Sequence, residues 1–192
     1  NGKQDYSVAL SNDNCVLLHF DELYGDPKDS SGNSVKCERH DLGDDLWVDG
    51  ITNNGIHIIE GYVEISYGQG INPYSEPHSF EFWIHPAEAS VNQTIFTTGS
   101  SSGDDRMYIG IKNDKWDMGI YDNNWGTGST PVDYLNWSHI TLIMDGDTAT
   151  LYVNGEESIS KEYSSYAFSY NFHFGFNNQT PQCNFGGSMD EL

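Results

Sequence analysis

The sequence predicts an all-β chain folded as a two-sheet antiparallel sandwich. Three observations predict it. Apolar and polar residues alternate in short runs, the runs end at Gly, Asn, Asp or Pro, and no stretch of helical length carries a 3.6-residue period.

Taken in order, residues 1–14 read as a loose polar leader, and residues 15–192 as a single domain without a boundary or internal repeat. A first strand spans Val16 to Phe20, and residues 21–45 read as a long polar excursion rich in Gly, Ser and Asp. Val63, Ile65 and Tyr67 then alternate with Tyr62, Glu64 and Ser66, which gives a strand one residue face of which is apolar. Phe80, Phe82 and Ile84 form a second such face, with Trp83 pointing the other way. Residues 116–121 predict a strand followed by a loop carrying Trp125. Ile140, Leu142 and Met144 share a face, as do Ala149, Leu151 and Val153, and Asp145-Gly146-Asp147 joins those two runs in a hairpin. Asn154-Gly155 supplies the next turn, where positive φ costs little. Phe172, Phe174 and Phe176 make a further face, and Gly187-Ser188-Met189-Asp190-Glu191-Leu192 opens a last strand. That ending fits either a short final strand or a domain excised from a longer polypeptide.

Eight Lys+Arg against 29 Asp+Glu leave a formal charge of −21, which excludes nucleic acid as a partner, since phosphate contact needs basic clusters. The same charge repels anionic lipid, and no apolar run is long enough to cross a bilayer. Cys15, Cys37 and Cys183 are too far apart in sequence for a CxxC knuckle, and which of them pair stays open. Low Lys content with heavy Asn, Gly, Tyr and Trp usage points to a secreted or surface-displayed protein.

Five segments in order carry a family resemblance. Val16-Leu17-Leu18-His19-Phe20-Asp21-Glu22 with Asp29-Ser30-Ser31-Gly32-Asn33 resembles the opening of laminin-G-like domains of the concanavalin A-like superfamily. Gly61-Tyr62-Val63-Glu64-Ile65 and Ser79-Phe80-Glu81-Phe82-Trp83-Ile84-His85-Pro86 are similar to two of its strands. Trp137-Ser138-His139-Ile140 with Ala149-Thr150-Leu151-Tyr152-Val153-Asn154-Gly155 resembles its hairpin, and Gly187-Ser188-Met189-Asp190-Glu191 its closing strand. The resemblance implies a jelly-roll sandwich in which the first and last strands lie side by side. It also implies a structural calcium on the convex side, held by Asp21, the Glu60-Gly61 corner and Asp190, although related sequences carry Asp-Gly at that corner. Asp26, Asp29, Ser31 and Asn33 also make an oxygen-rich loop, which Asx-turn chemistry explains without a metal.

Residues 114–126 crowd Trp116, Tyr121 and Trp125 among Asp117, Asp122, Asn123 and Asn124. Rings that stack on the apolar faces of sugars, beside amides that take the hydroxyls, make a glycan site of Trp116, Tyr121, Asn123 and Trp125. Acid–base chemistry has less support, because no strand carries the paired acids a glycosidase of this fold uses. His19, His57, His139 and His173 lie inside strand patterns, where a structural role is the commoner one. The expectation is therefore a non-catalytic binding module for a glycan or a surface protein. A hydrolase or lyase of the same fold, and a ligand-free adhesion or assembly module of a larger surface or tail-fibre protein, are the alternatives.

Overall fold

A computed structural model describes residues 16–42, 46–66, 77–88, 92–98, 107–120, 124–145, 147–163, 171–175 and 184–192. Two seven-stranded sheets make up the fold. The first runs β1 (Cys37–His40), β4 (Tyr62–Ile65), β13 (Phe172–Phe174), β6 (Gln93–Thr98), β7 (Met107–Lys112), β8 (Lys115–Ile120), β9 (Asn124–Pro131). The second runs β12 (Glu156–Glu162), β11 (Thr148–Val153), β10 (Ser138–Asp145), β5 (His78–Pro86), β14 (Gly187–Asp190), β3 (Asn54–Ile58), β2 (Trp47–Asp49). No helix occurs among the described residues, and the architecture is the predicted jelly-roll sandwich.

The alternation sorts the side chains as the pleat requires. Phe82, Ile84, Ile140, Leu142, Met144, Ala149, Leu151 and Val153 are buried from the second sheet, facing Val63, Ile65, Phe96, Phe172 and Phe174 of the first. Aromatic rings join the layers: Phe82 meets Phe174 edge-on at 5.5 Å, and Phe80 meets Phe96 at 5.0 Å. Such pairs add directional contact to the area they bury. Asn154 and Gly155 both take positive φ, 52° and 81°, in the turn from β11 to β12, as the sequence predicts.

Leu18 and Leu192 exchange backbone hydrogen bonds, at 2.6 and 2.8 Å, so the opening and closing segments do lie together. The opening segment is shorter in regular pairing than expected, with a single bridge from Leu18 to Asp29 in place of a strand. A second departure lies in the polar excursion, which contains β1. This is a short edge strand whose inward residue, Cys37, is its one apolar member, so period-2 reading had little to register. Trp125 lies in β9 opposite Gly119 and not in a loop, because β9 pairs antiparallel with β8 from Asn124 onward. Tyr67, Phe176, residues 1–15, Cys15 and Cys183 lie outside the described residues.

Candidate functional site on the outer face of the first sheet

With Cys37, Val63, Phe172 and Phe96 committed to the core, strand parity turns their neighbours outward. The register then lines up one polar row across the sheet: Glu38 opposite Glu64, Glu64 opposite His173, His173 opposite Thr97, and Thr97 opposite Tyr108. One step along, His40 stands opposite Tyr62.

At its β1–β4–β13 end, the His40 and Tyr62 rings stack with centroids 4.6 Å apart and planes 13° apart. Tyr62 in turn meets the edge of His173 at 5.5 Å. His173 Nε2 lies 3.1 Å from Glu64 Oε2, and both side chains are mostly buried. Burial lowers the His173 pKa and outweighs the opposing pull of Glu64, so the ring is neutral near pH 7 and its Nε2–H donates to the carboxylate. Burial, then Glu64 and Asp41, push the Tyr62 phenol up, which keeps it a hydrogen-bonding hydroxyl. Lys36 Nζ reaches Glu38 Oε2 at 2.6 Å from an exposed side chain. A ring nitrogen of His40 and one carboxylate oxygen each of Glu38 and Glu64 lie within 4.8 Å of one another.

At the β7–β8–β9 end, the Tyr108 hydroxyl donates to Asp117 Oδ2, and the Thr127 hydroxyl donates to Asp117 Oδ1 at 2.6 Å. Asp117 is buried, so these two donors replace the water its carboxylate would otherwise hold. Burial first, and then Asp117, drive the Tyr108 phenol far above its usual range. The outcome is a fixed hydroxyl–carboxylate–hydroxyl array on an outer face.

The expected glycan residues fare differently. Trp116 is fully buried on the inner face beside Met118, so it is a core side chain and cannot meet a ligand. The parity it shares with Met118 was the signal that should have placed it there. Trp125 has the backbone position given above, while Tyr121 and Asn123 lie outside the described residues.

The four expected calcium ligands do not form one shell. Asp190 sits beside the start of β3, where its Oδ2 accepts the backbone N–H groups of Ile51 (2.7 Å) and Thr52 (3.0 Å). Asp21 reaches the same loop, accepting Asn54 N–H at 3.1 Å and the Asn53 side-chain amide at 3.0 Å. Glu60 and Gly61 follow the far end of β3, about 13 Å away at roughly 3.3 Å per residue. Both aspartates thus anchor the loop before β3. Burial lifts the Asp190 pKa to about 7, with Glu191 adding to the shift and the backbone donors opposing it. In the first loop, Asp29 collects the N–H groups of Leu17, Ser31 and Val35 and the Ser31 hydroxyl, which is turn chemistry.

The strand histidines are each tied to a neighbour: His19 to Glu191 at 2.8 Å, His57 to Ser188 at 2.8 Å, and His139 to Glu81 at 3.0 Å. The pair Glu38 and Glu64 escaped the sequence reading because the two acids come from different strands. Only the β1–β4 register joins them.

With this geometry in place, a family model decides the kinship. Residues 59–192 match Laminin_G_3, of the concanavalin A-like lectin/glucanases superfamily. The chain belongs to that family. No curated protein matches the chain by sequence. Among solved structures, this laminin-G-like chain is similar to domain 4 of AbnA, a GH43 extracellular arabinanase from Geobacillus stearothermophilus, in complex with arabinotriose. The two share 16% identity at a TM-score of 0.68, over 92% of this chain and 89% of that one. It is also similar to the binding domain of botulinum neurotoxin serotype D, at 15% identity and a TM-score of 0.64, spanning 92% of this chain and 47% of that one. A third is the Trypanosoma rangeli sialidase in complex with the inhibitor DANA, at 12% identity and a TM-score of 0.69, over 92% of this chain and 29% of that one. At such identities the likeness shows the fold, and function is argued from the residues.

Proposed function

We propose that this laminin-G-like domain is a non-catalytic carbohydrate-binding module, exported or displayed at a surface, that holds a glycan across the outer face of its first sheet. The observation that carries the reading is the polar row from Glu38 to Tyr108, in which His173 is hydrogen-bonded to Glu64, with the stacked His40 and Tyr62 rings one step along. Preset donors and acceptors beside a half-buried ring suit a sugar, which offers hydroxyls on its rim and C–H groups on its faces. Ordering such a surface beforehand reduces what binding costs. A domain of similar fold and size, from the arabinanase, is described in complex with arabinotriose. Trp125, the ring expected from the sequence, belongs to β9 at the edge of the same sheet.

Glu38 and Glu64 support a second reading, a glycoside hydrolase, because two facing carboxylates are that chemistry's requirement. A glycan array run with oligosaccharides of neutral and acidic sugars tests the first reading, and assay of the same wells for new reducing ends tests the second. Retention of a glycan without cleavage supports the binding module. A blank array in which the folded protein retains nothing removes it in favour of an adhesion or assembly role.

A further inference from the structure

We infer that Glu38, His40 and Glu64 form a binding site for a divalent transition metal of the zinc class. The inference does not depend on the glycan reading.

The donor set is the first ground. One imidazole nitrogen and two carboxylate oxygens lie within 4.8 Å of one another. Zinc holds such donors at about 2.0–2.2 Å, so the two flexible glutamates need only small side-chain rotations to close on it. A set of one nitrogen and two oxygens is too few and too soft for calcium, which takes six to eight oxygens.

The second ground is the register. Glu38 and Glu64 are directly opposed on neighbouring antiparallel strands, a placement in which like charges repel. Lys36 offsets only part of that repulsion, because it is an exposed ammonium that a cation can displace. A dication between the two carboxylates turns the repulsion into attraction.

The surroundings are the third. Tyr62 stacks on the His40 ring at 4.6 Å, and His173 hydrogen-bonds Glu64, as residues outside a metal's own shell do for its carboxylate ligands. His40 Nε2 is enclosed and has no hydrogen-bond partner among the described residues, so this ring keeps a lone nitrogen or N–H unused. The chain's charge of −21 raises the local concentration of any cation. Three protein donors leave a fourth zinc position open to water or a ligand.

The test is calorimetric titration of the metal-stripped full chain with zinc chloride, and with magnesium and calcium chlorides for comparison. The expected result is one equivalent of zinc, bound at least tenfold tighter than magnesium or calcium. Glu38→Gln, Glu64→Gln and His40→Gln should each weaken zinc at least tenfold, while Glu60→Gln and Asp21→Asn leave it unchanged. Cobalt(II) loaded in place of zinc should show the visible absorption of a low-coordinate site, lost in Glu38→Gln. Since His40→Gln also removes the stack on Tyr62, the two glutamate variants carry the test if its melting temperature falls. Zinc bound no tighter than magnesium, or equally by all three variants, overturns the site. Because no glycan is present, that failure leaves the binding-module reading standing. Success tells against the hydrolase reading, which needs the same oxygens.

Discussion

Leu18 N–H donates to Leu192 O at 2.6 Å and Leu192 N–H donates back to Leu18 O at 2.8 Å, a reciprocal pair that closes the sandwich between segments far apart in sequence. Leu18 is itself fully buried. Leu18→Ala should therefore cost about 2–5 kcal/mol, the range for a large-to-small change in a packed core. Urea unfolding measures it, and a loss under about 1 kcal/mol would mean the junction is not part of the cooperative core.

Two aspartates should give opposite pH dependences. Burial raises Asp29, but its hydrogen bonds from Val35, Ser31 and Leu17 prevail and its pKa ends below the ordinary 3.8. Its contribution is complete above the unfolded carboxylate range and is lost as pH falls through the folded value. Asp190 is raised to about 7, chiefly by burial, so it stabilises most below about pH 4 and that advantage fades as pH rises towards 7. Relative to Asp190→Asn, wild-type stability should fall between those limits by at most about 1.4 kcal/mol per pH unit. Relative to Asp29→Asn it should rise with pH below about 4 and level off above that. Urea melts at several pH values check both, and slopes of one sign would refute the contrast.

Asp190 also separates the anchoring role from a calcium role. Asp190→Ala leaves the N–H groups of Ile51 and Thr52 without their acceptor, and should cost about 2–4 kcal/mol. Anchoring alone predicts the same loss with and without EDTA. A wild-type melting temperature that drops in EDTA, with the variant indifferent, would restore the expected calcium.

Tyr62→Ala should weaken a glycan found on the array by about 1–3 kcal/mol, the scale of one stacked ring, and Trp125→Ala by a similar amount. Affinity unchanged in both variants would move the ligand off this sheet. Trp116→Ala should instead act on stability, at about 3–5 kcal/mol, because that ring is wholly inside.

The inner faces were legible because Phe82, Ile84, Ile140 and Leu142 repeat at the spacing a pleat enforces, and Asn154-Gly155 names its turn. Trp116 was legible in the same way, through Met118, but the surrounding polar residues drew attention outward. The acid–imidazole group was not legible. Glu38 and His40 occupy an edge strand with one apolar residue, and Glu64 becomes their neighbour only when β4 pairs with it. Asp21 and Asp190 were rightly brought to one region, since Leu18 and Leu192 pair there. The corner at Glu60-Gly61 was assigned to them by kinship, and β3 carries it to the opposite end of that strand.

Cys37 is a free thiol pointing into the core from β1, and burial raises its pKa to about 12, with nearby acids adding to the effect. In the native state it is both sheltered and almost wholly uncharged, so an alkylating reagent meets neither the atom nor its reactive form. In a variant with the other two thiols removed, the rate of labelling at this position would clock how often β1 swings clear of β4. The same edge that frames the Glu38–His40–Glu64 group thereby carries its own chemical stopwatch.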